Sequence, residues 1–214
     1  MKINKKSLCL YLVTDRTWLK EKSLSGQIER AVKSGVTFIQ LREKELALAE
    51  FIREAKKIKM IADAYHIPFV INDNIDVAME IGADGVHVGQ NDMNARDVRK
   101  MIGKDKILGV SAQTVEQALS AENCGADYLG VGAVFNTDTK IDAQSVSFGT
   151  LKEITKRVRI PVVAIGGINE NNILKLKGNH IDGVAVVSAI LARPDICLAT
   201  ENLKKLAEEM TGGA

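Results

Sequence analysis

One pattern recurs along this chain and dictates what it can fold into: a short apolar run, a polar break, then a segment of helical periodicity. The apolar runs occupy 8–14, 37–42, 68–73, 85–89, 106–112, 127–135, 161–167 and 183–190. They are rich in β-branched residues and lack polar/apolar alternation, as strands of a parallel sheet buried on both faces must be. Helices are predicted over 24–34, 49–64, 74–81, 94–102, 114–124, 149–158, 169–177 and 198–210. In 49–64, Phe51, Ile52, Ala55, Ile58, Ile61 and Ala62 share one helical face, with Arg53, Lys56, Lys57 and Asp63 mainly elsewhere. Gly35, Gly82, Gly125 and Gly178 fall just past predicted helices, where a left-handed residue ends a helix at little cost. Pro68 and Pro161 open strands, where a missing N–H does least harm.

Eight strand–helix alternations specify an α/β protein, and a closed (β/α)8 barrel (TIM barrel) absorbs all eight strands without leaving an edge. A single domain over 1–214 is expected, because no linker or shift in composition divides the 214 residues. An open doubly wound sheet is the rival architecture. Its dinucleotide fingerprint is missing: Gly130 and Gly132 lie inside an apolar run, with no glycine three residues on.

Composition removes several function classes. Lys and Arg number 29 against 27 Asp and Glu, a net charge of +2, so no basic face for nucleic acid is expected. No stretch approaches the roughly 18 apolar residues of a membrane helix. The basic start followed by LCLYLV imitates a signal peptide, but the run is short and leads into Thr14 and Asp15, so it reads as a first strand. Cys9, Cys124 and Cys197 are odd in number and widely spaced, which fits reduced, mostly buried thiols in a cytosolic protein.

Active sites of such barrels lie at the C-terminal ends of the strands, and the unusual polar residues of this chain collect there. Strand two ends in Gln40-Leu41-Arg42-Glu43-Lys44, two cations suited to a phosphate or diphosphate. Strand three ends in Asn72-Asp73-Asn74, and strand four is followed by Gly89-Gln90-Asn91-Asp92. Asp73 and Asp92 each have a bland reading as a helix cap. Together, on neighbouring strands about 5 Å apart, they can share one hard cation such as Mg²⁺. Ser111 at the end of strand five suits a hydrogen bond to a ligand, or a plain strand end, and has no triad partners. The loop 136–145, with Thr137, Thr139 and Lys140, has the composition of a closing lid. Gly167 after strand seven and Val187-Ser188 after strand eight stand where such barrels bind phosphate through main-chain N–H groups and a short helix. His87, inside an apolar strand, reads as a packed core histidine rather than a catalyst. His66 and His180 lack partners in sequence, and Tyr11 and Trp18 lack aromatic companions.

The pieces LYLVTD, QLREK, NDNIDVA, GVHVGQND, GVSAQT, VFNTDTK, AIGGI and VAVVSAI, in this order between about residues 10 and 191, resemble the thiamine phosphate synthase family. The resemblance implies a Mg²⁺-dependent transferase, with one ion per subunit, that joins hydroxymethylpyrimidine diphosphate to hydroxyethylthiazole phosphate and releases diphosphate. By resemblance, Gln40, Arg42, Lys44 and Asn72 contact the pyrimidine diphosphate, within a substrate segment that also contains Leu41 and Glu43. Asp73 and Asp92 hold Mg²⁺, while Ser111 and Lys140 reach the diphosphate. Arg42, Lys44, Ser111 and Lys140 are thereby the expected catalytic groups. Thr137, Thr139, Gly167, Val187 and Ser188 hold the thiazole phosphate. Where the family commonly has prolines before its Thr-x-Thr-Lys, this chain has Ala133 and Asn136, so a looser lid is expected. A thiazole tautomerase on the same barrel and a non-catalytic binder of thiamine intermediates are the alternatives. Oligomeric state is left open, a homo-oligomer included.

Overall fold

The computed structural model describes residues 3–19, 23–137 and 145–212. Eight short strands, nearly all buried along their length, pair side by side in parallel and close on themselves in sequence order. They are β1 (Leu10–Val13), β2 (Phe38–Leu41), β3 (Phe69–Asn72), β4 (Gly85–Val88), β5 (Ile107–Ala112), β6 (Tyr128–Gly132), β7 (Val162–Ile165) and β8 (Gly183–Val186). The closing pair sets Tyr11 against Ala185. The (β/α)8 barrel expected from the repeat is the architecture found.

Helices α1 (Leu24–Lys33), α2 (Leu48–Ala64), α3 (Ile75–Glu80), α4 (Ala95–Ile102), α5 (Val115–Asn123) and α6 (Phe148–Arg157) follow the first six strands. A short α7 (Ser188–Leu191) and the long α8 (Ile196–Thr211) follow β8. Most begin with a side-chain cap: Ser23, Asn74, Asn94, Thr114, Ser147 and Asp195 each accept from a first-turn N–H. The helix predicted over 169–177 contracts to a single 3-10 turn, Ile173–Leu176. Its asparagines explain this. The side chain of Asn172 accepts from Asn169 N–H and donates to Gly167 O, and that of Asn169 accepts from Asn171 N–H, so local side-chain bonds replace helical ones.

Two apolar layers result from the strand alternation. One lies between barrel and helices and contains Leu10, Leu12, Ile39 and Leu41. The other fills the barrel itself, with Tyr11, Phe38, Val70, Ile107, Tyr128 and Val163. Tyr11 and Phe38 pack in a tilted arrangement with ring centroids 4.5 Å apart, and Tyr128 meets Phe38 edge-on at 5.6 Å. The tyrosines therefore have aromatic company that comes from other strands and is invisible in local sequence.

At the opposite end from the expected site, each even strand is clamped to the odd strand before it. Asp84, Asp127 and Asp182 donate their N–H to the carbonyl of Phe69, Leu108 and Val162 and accept that same residue's N–H on the carboxylate. Thr37 does the same to Leu10 through its hydroxyl. A second tie comes from Arg99, which bonds the Asp127 carboxylate at 2.6 Å and the carbonyls of Gly103, Lys106 and Gly125.

Of the cysteines only Cys9 is buried; Cys124 and Cys197 are partly exposed, which corrects the expectation of mostly buried thiols. Both sit at helix ends, Cys124 capping α5 and Cys197 in the first turn of α8, where one side faces solvent.

Candidate active site

The segment after β2 is held from below. Thr14, fully buried, accepts the Arg42 N–H on its hydroxyl at 2.9 Å. Arg42 Nη1 bonds Asp15 Oδ2 at 3.2 Å, and Arg16 Nε bonds the Glu43 carboxylate at 2.8 Å. Burial raises the Glu43 carboxyl above its ordinary range, opposed by the Arg16 guanidinium. The Glu43 carboxylate is thus committed to a structural pair, while Lys44 is exposed. Strand alternation turns the Leu41 side chain into the layer under the helices, so its main chain is the part presented toward the mouth. Thr14, Asp15 and Arg16 were not singled out from sequence as site residues, although Thr14 and Asp15 end the run LYLVTD that carries part of the family resemblance.

Asn72 ends β3 and lies directly opposite His87 of β4. Its Nδ2 donates to Asp73 Oδ2. Asp73 sits at φ +61°, in the left-handed region, with its N–H bonded to His87 O at 2.8 Å. The cap of α3 is Asn74, not Asp73, and the cap of α4 is Asn94, not Asp92. Asp92 instead folds back so that Oδ2 accepts Gly89 N–H at 2.7 Å, which returns the carboxylate to the end of β4. Two hard-oxygen side chains therefore stand at adjacent strand ends. Among the described residues no group of three or more His, Cys, Asp or Glu forms a metal cluster. A set of two carboxylates suits Mg²⁺, which keeps waters and takes further oxygens from a substrate.

Ser111, on the upper part of β5, closes a line of polar side chains that crosses the barrel. Gln40 Nε2 donates to Tyr11 Oη at 2.6 Å, Tyr11 Oη meets Tyr128 Oη at 2.7 Å, Tyr128 Oη meets His87 Nδ1 at 2.9 Å, and His87 Nε2 meets Ser111 Oγ at 3.0 Å. Gln40 is 4% and His87 7% exposed. His87 is packed and hydrogen-bonded, as its sequence context indicated. Burial raises both phenols well above the ordinary tyrosine range. Gln90 Nε2 adds a bond to Ser111 O at 2.6 Å, joining the loop after β4 to β5.

On the far side, Gly167 has φ +63°, and a Cβ there would overlap Asn136 O. The close approach that needs glycine is therefore made by the neighbouring loop as well as being open to a ligand. Ala133–Phe135 is pinned: Val134 N–H bonds Ile165 O, Phe135 N–H bonds Gly166 O, and Val146 N–H bonds Ala133 O. The loop expected to be looser, 136–145, lies mostly outside the described residues. Thr137 is described and half-buried, whereas Thr139 and Lys140 lie outside the described residues. Ser188 begins α7 with the partly buried Val187 at its cap position. The N–H groups of Gly167 and Ser188 donate to no protein acceptor among the described residues. A cavity of about 570 Å³ opens here, walled by Phe135, Asn136, Phe148, Gly167 and Asn169.

Residues 10–190 match the family described as thiamine monophosphate synthase. The chain belongs to that family. It is 55% identical over 203 residues to the thiamine-phosphate synthase of Clostridium tetani, covering 95% of this chain and 94% of that one. The thiamine-phosphate synthase of Methanobrevibacter smithii is 51% identical over 203 residues, 95% and 97% of the two chains. Among solved structures, a thiamine phosphate pyrophosphorylase from Pyrococcus furiosus superposes with a TM-score of 0.90 at 38% identity, covering 97% of this chain and 99% of that one. The family's enzymes are transferases, and thiamine-phosphate synthesis is the function of this barrel. None of the described helices is long and apolar enough to cross a membrane.

Proposed function

We propose that the barrel mouth forms thiamine phosphate by a dissociative, Mg²⁺-dependent substitution between hydroxymethylpyrimidine diphosphate and hydroxyethylthiazole phosphate. The observation that supports this best is the division of the mouth into two anion-binding sides. Arg42, Lys44 and the carboxylates of Asp73 and Asp92 stand at β2–β4, and the N–H groups of Gly167 and Ser188, which donate to no acceptor among the described residues, stand at β7–β8. Asp73 and Asp92 would hold the metal, which when bound supplies positive charge beside the diphosphate.

The chain's own groups do the rest. Arg42 and Lys44, with Lys140 and Ser111, take up negative charge as the carbon–oxygen bond breaks and its electron pair leaves on diphosphate. The electron-rich aminopyrimidine carries the resulting cation, and the thiazole nitrogen lone pair forms the new carbon–nitrogen bond. Gln40 and Asn72 orient the pyrimidine, while Gly167, Val187, Ser188, Thr137 and Thr139 hold the thiazole phosphate in line. Glu43 serves by bracing Arg16 beneath the Arg42 segment. The same reading places one barrel domain over 1–214, in the cytosol, with one metal ion per subunit.

The test is an assay of purified protein with both phosphorylated substrates, with and without Mg²⁺. Metal-dependent appearance of thiamine phosphate and diphosphate in equal amounts is expected. Interconversion of thiazole isomers without condensation would replace this reading with the tautomerase, and binding without any turnover would replace it with a silent carrier.

A further inference from the structure

Five side chains from five strands form the line Gln40–Tyr11–Tyr128–His87–Ser111, and both of its ends belong to the mouth. We propose that these hydrogen bonds all run one way, set by the Gln40 amide, and hold the Ser111 hydroxyl as a donor facing the mouth. Tyr11, Tyr128 and His87 are then positioning residues for diphosphate departure. The inference rests on the transferase reading above.

The direction follows from counting protons. A carboxamide N–H can only donate, so Tyr11 Oη accepts from Gln40. Each phenol has one proton, and burial keeps both phenols protonated. Tyr11 passes its proton toward Tyr128, and Tyr128 passes its own toward His87 Nδ1. An imidazole nitrogen that accepts is bare, so the ring proton sits on Nε2 and points at Ser111 Oγ. Ser111, already accepting, has its own proton left to give. A hydroxyl polarised by an incoming N–H is a stronger donor, and it is aimed where negative charge grows. The backbone makes way for this line: a Cβ on Gly109 would overlap both Tyr128 Oη and His87 Nδ1, so the chain passes only because β5 carries glycine there.

Gln40 also gains a defined face. With one Nε2 hydrogen spent on Tyr11, the amide oxygen remains to accept from a ligand, and it suits a ring edge that donates a hydrogen, such as an exocyclic amine.

The experiment is nitrogen NMR of ¹⁵N-histidine-labelled protein, in which three histidines are present and His87→Gln identifies one signal. The expected spectrum shows His87 protonated on Nε2 and bare on Nδ1. A proton on Nδ1 would overturn the proposal, because His87 would then donate to Tyr128 and accept from Ser111, and the bonds would converge on the tyrosines instead of running one way. The kinetic arm is a cycle of Tyr128→Phe and Ser111→Ala. Tyr128→Phe is expected to lower kcat roughly tenfold with the KM for thiazole phosphate within about twofold, and to add nothing once Ser111 is alanine. Losses that multiply would overturn the positioning role. Should Tyr128→Phe not fold, the wild-type tautomer alone decides. Absence of thiamine phosphate from the wild-type assay would overturn the transferase reading and the positioning role with it. Metal-dependent product with His87 protonated on Nδ1 would overturn the chain direction alone.

Discussion

Asn74 and Asn94 take the ends of α3 and α4, and this choice of residue keeps the aspartates beside them at the barrel mouth. An Asp at either cap would have been satisfied by helix N–H groups; placed one or two residues earlier, it is held beside the strand end instead. Asp73→Asn preserves shape and removes one negative ligand. Metal-dependent turnover is expected to fall roughly 100-fold or more with the melting temperature little changed, as read by steady-state assay and thermal unfolding. The buried tyrosines give a second residue-scale prediction. Their folded-state pKa values are raised, by burial first, so the folded chain keeps protons that the unfolded chain releases above about pH 10. Their contribution to stability is complete below that pH and is lost as pH rises through it. Urea midpoints should therefore fall from pH 9 to pH 11, and Tyr128→Phe should flatten the fall.

At the scale of elements, the apolar runs and their helices were legible because each strand is buried on both faces and each helix on one. Boundaries of α1 to α6 lie within a residue or so of those predicted. The 169–177 segment was not legible, since two asparagine side chains, Asn169 and Asn172, bond to the chain locally, a competition that periodicity does not register. Nor were the clamps: Asp84, Asp127 and Thr37 look like ordinary strand openers until the preceding strand is laid beside them. Asp127→Ala deprives Leu108 N–H and Arg99 of a partner. A loss of about 2–3 kcal/mol is expected by denaturant unfolding, with kcat unchanged.

Over the whole molecule, the mouth's residue types could be read because barrel topology sends every strand end to one place; Arg42, Asp73, Asp92 and Ser111 all come from such ends. The line through Tyr11, Tyr128 and His87 could not, because its members are separated by up to 117 residues and meet only inside the closed barrel. The two-sided mouth predicts separable binding. Arg42→Ala should weaken pyrimidine diphosphate about 10- to 100-fold and leave thiazole phosphate nearly unaffected, and Ser188→Ala should do the reverse about fivefold, both by calorimetry. Equal losses for the two ligands would remove the two-sided map.

The strand clamps have a consequence for how such a chain can change over generations. They lie at the end of the barrel opposite the strand ends that form the mouth, and they use aspartate and threonine side chains that bond the neighbouring strand. Robustness and chemistry are thereby assigned to separate sets of positions. A lineage can tighten one end to suit a hotter habitat while the other explores new phosphorylated ligands, and neither experiment has to undo the other.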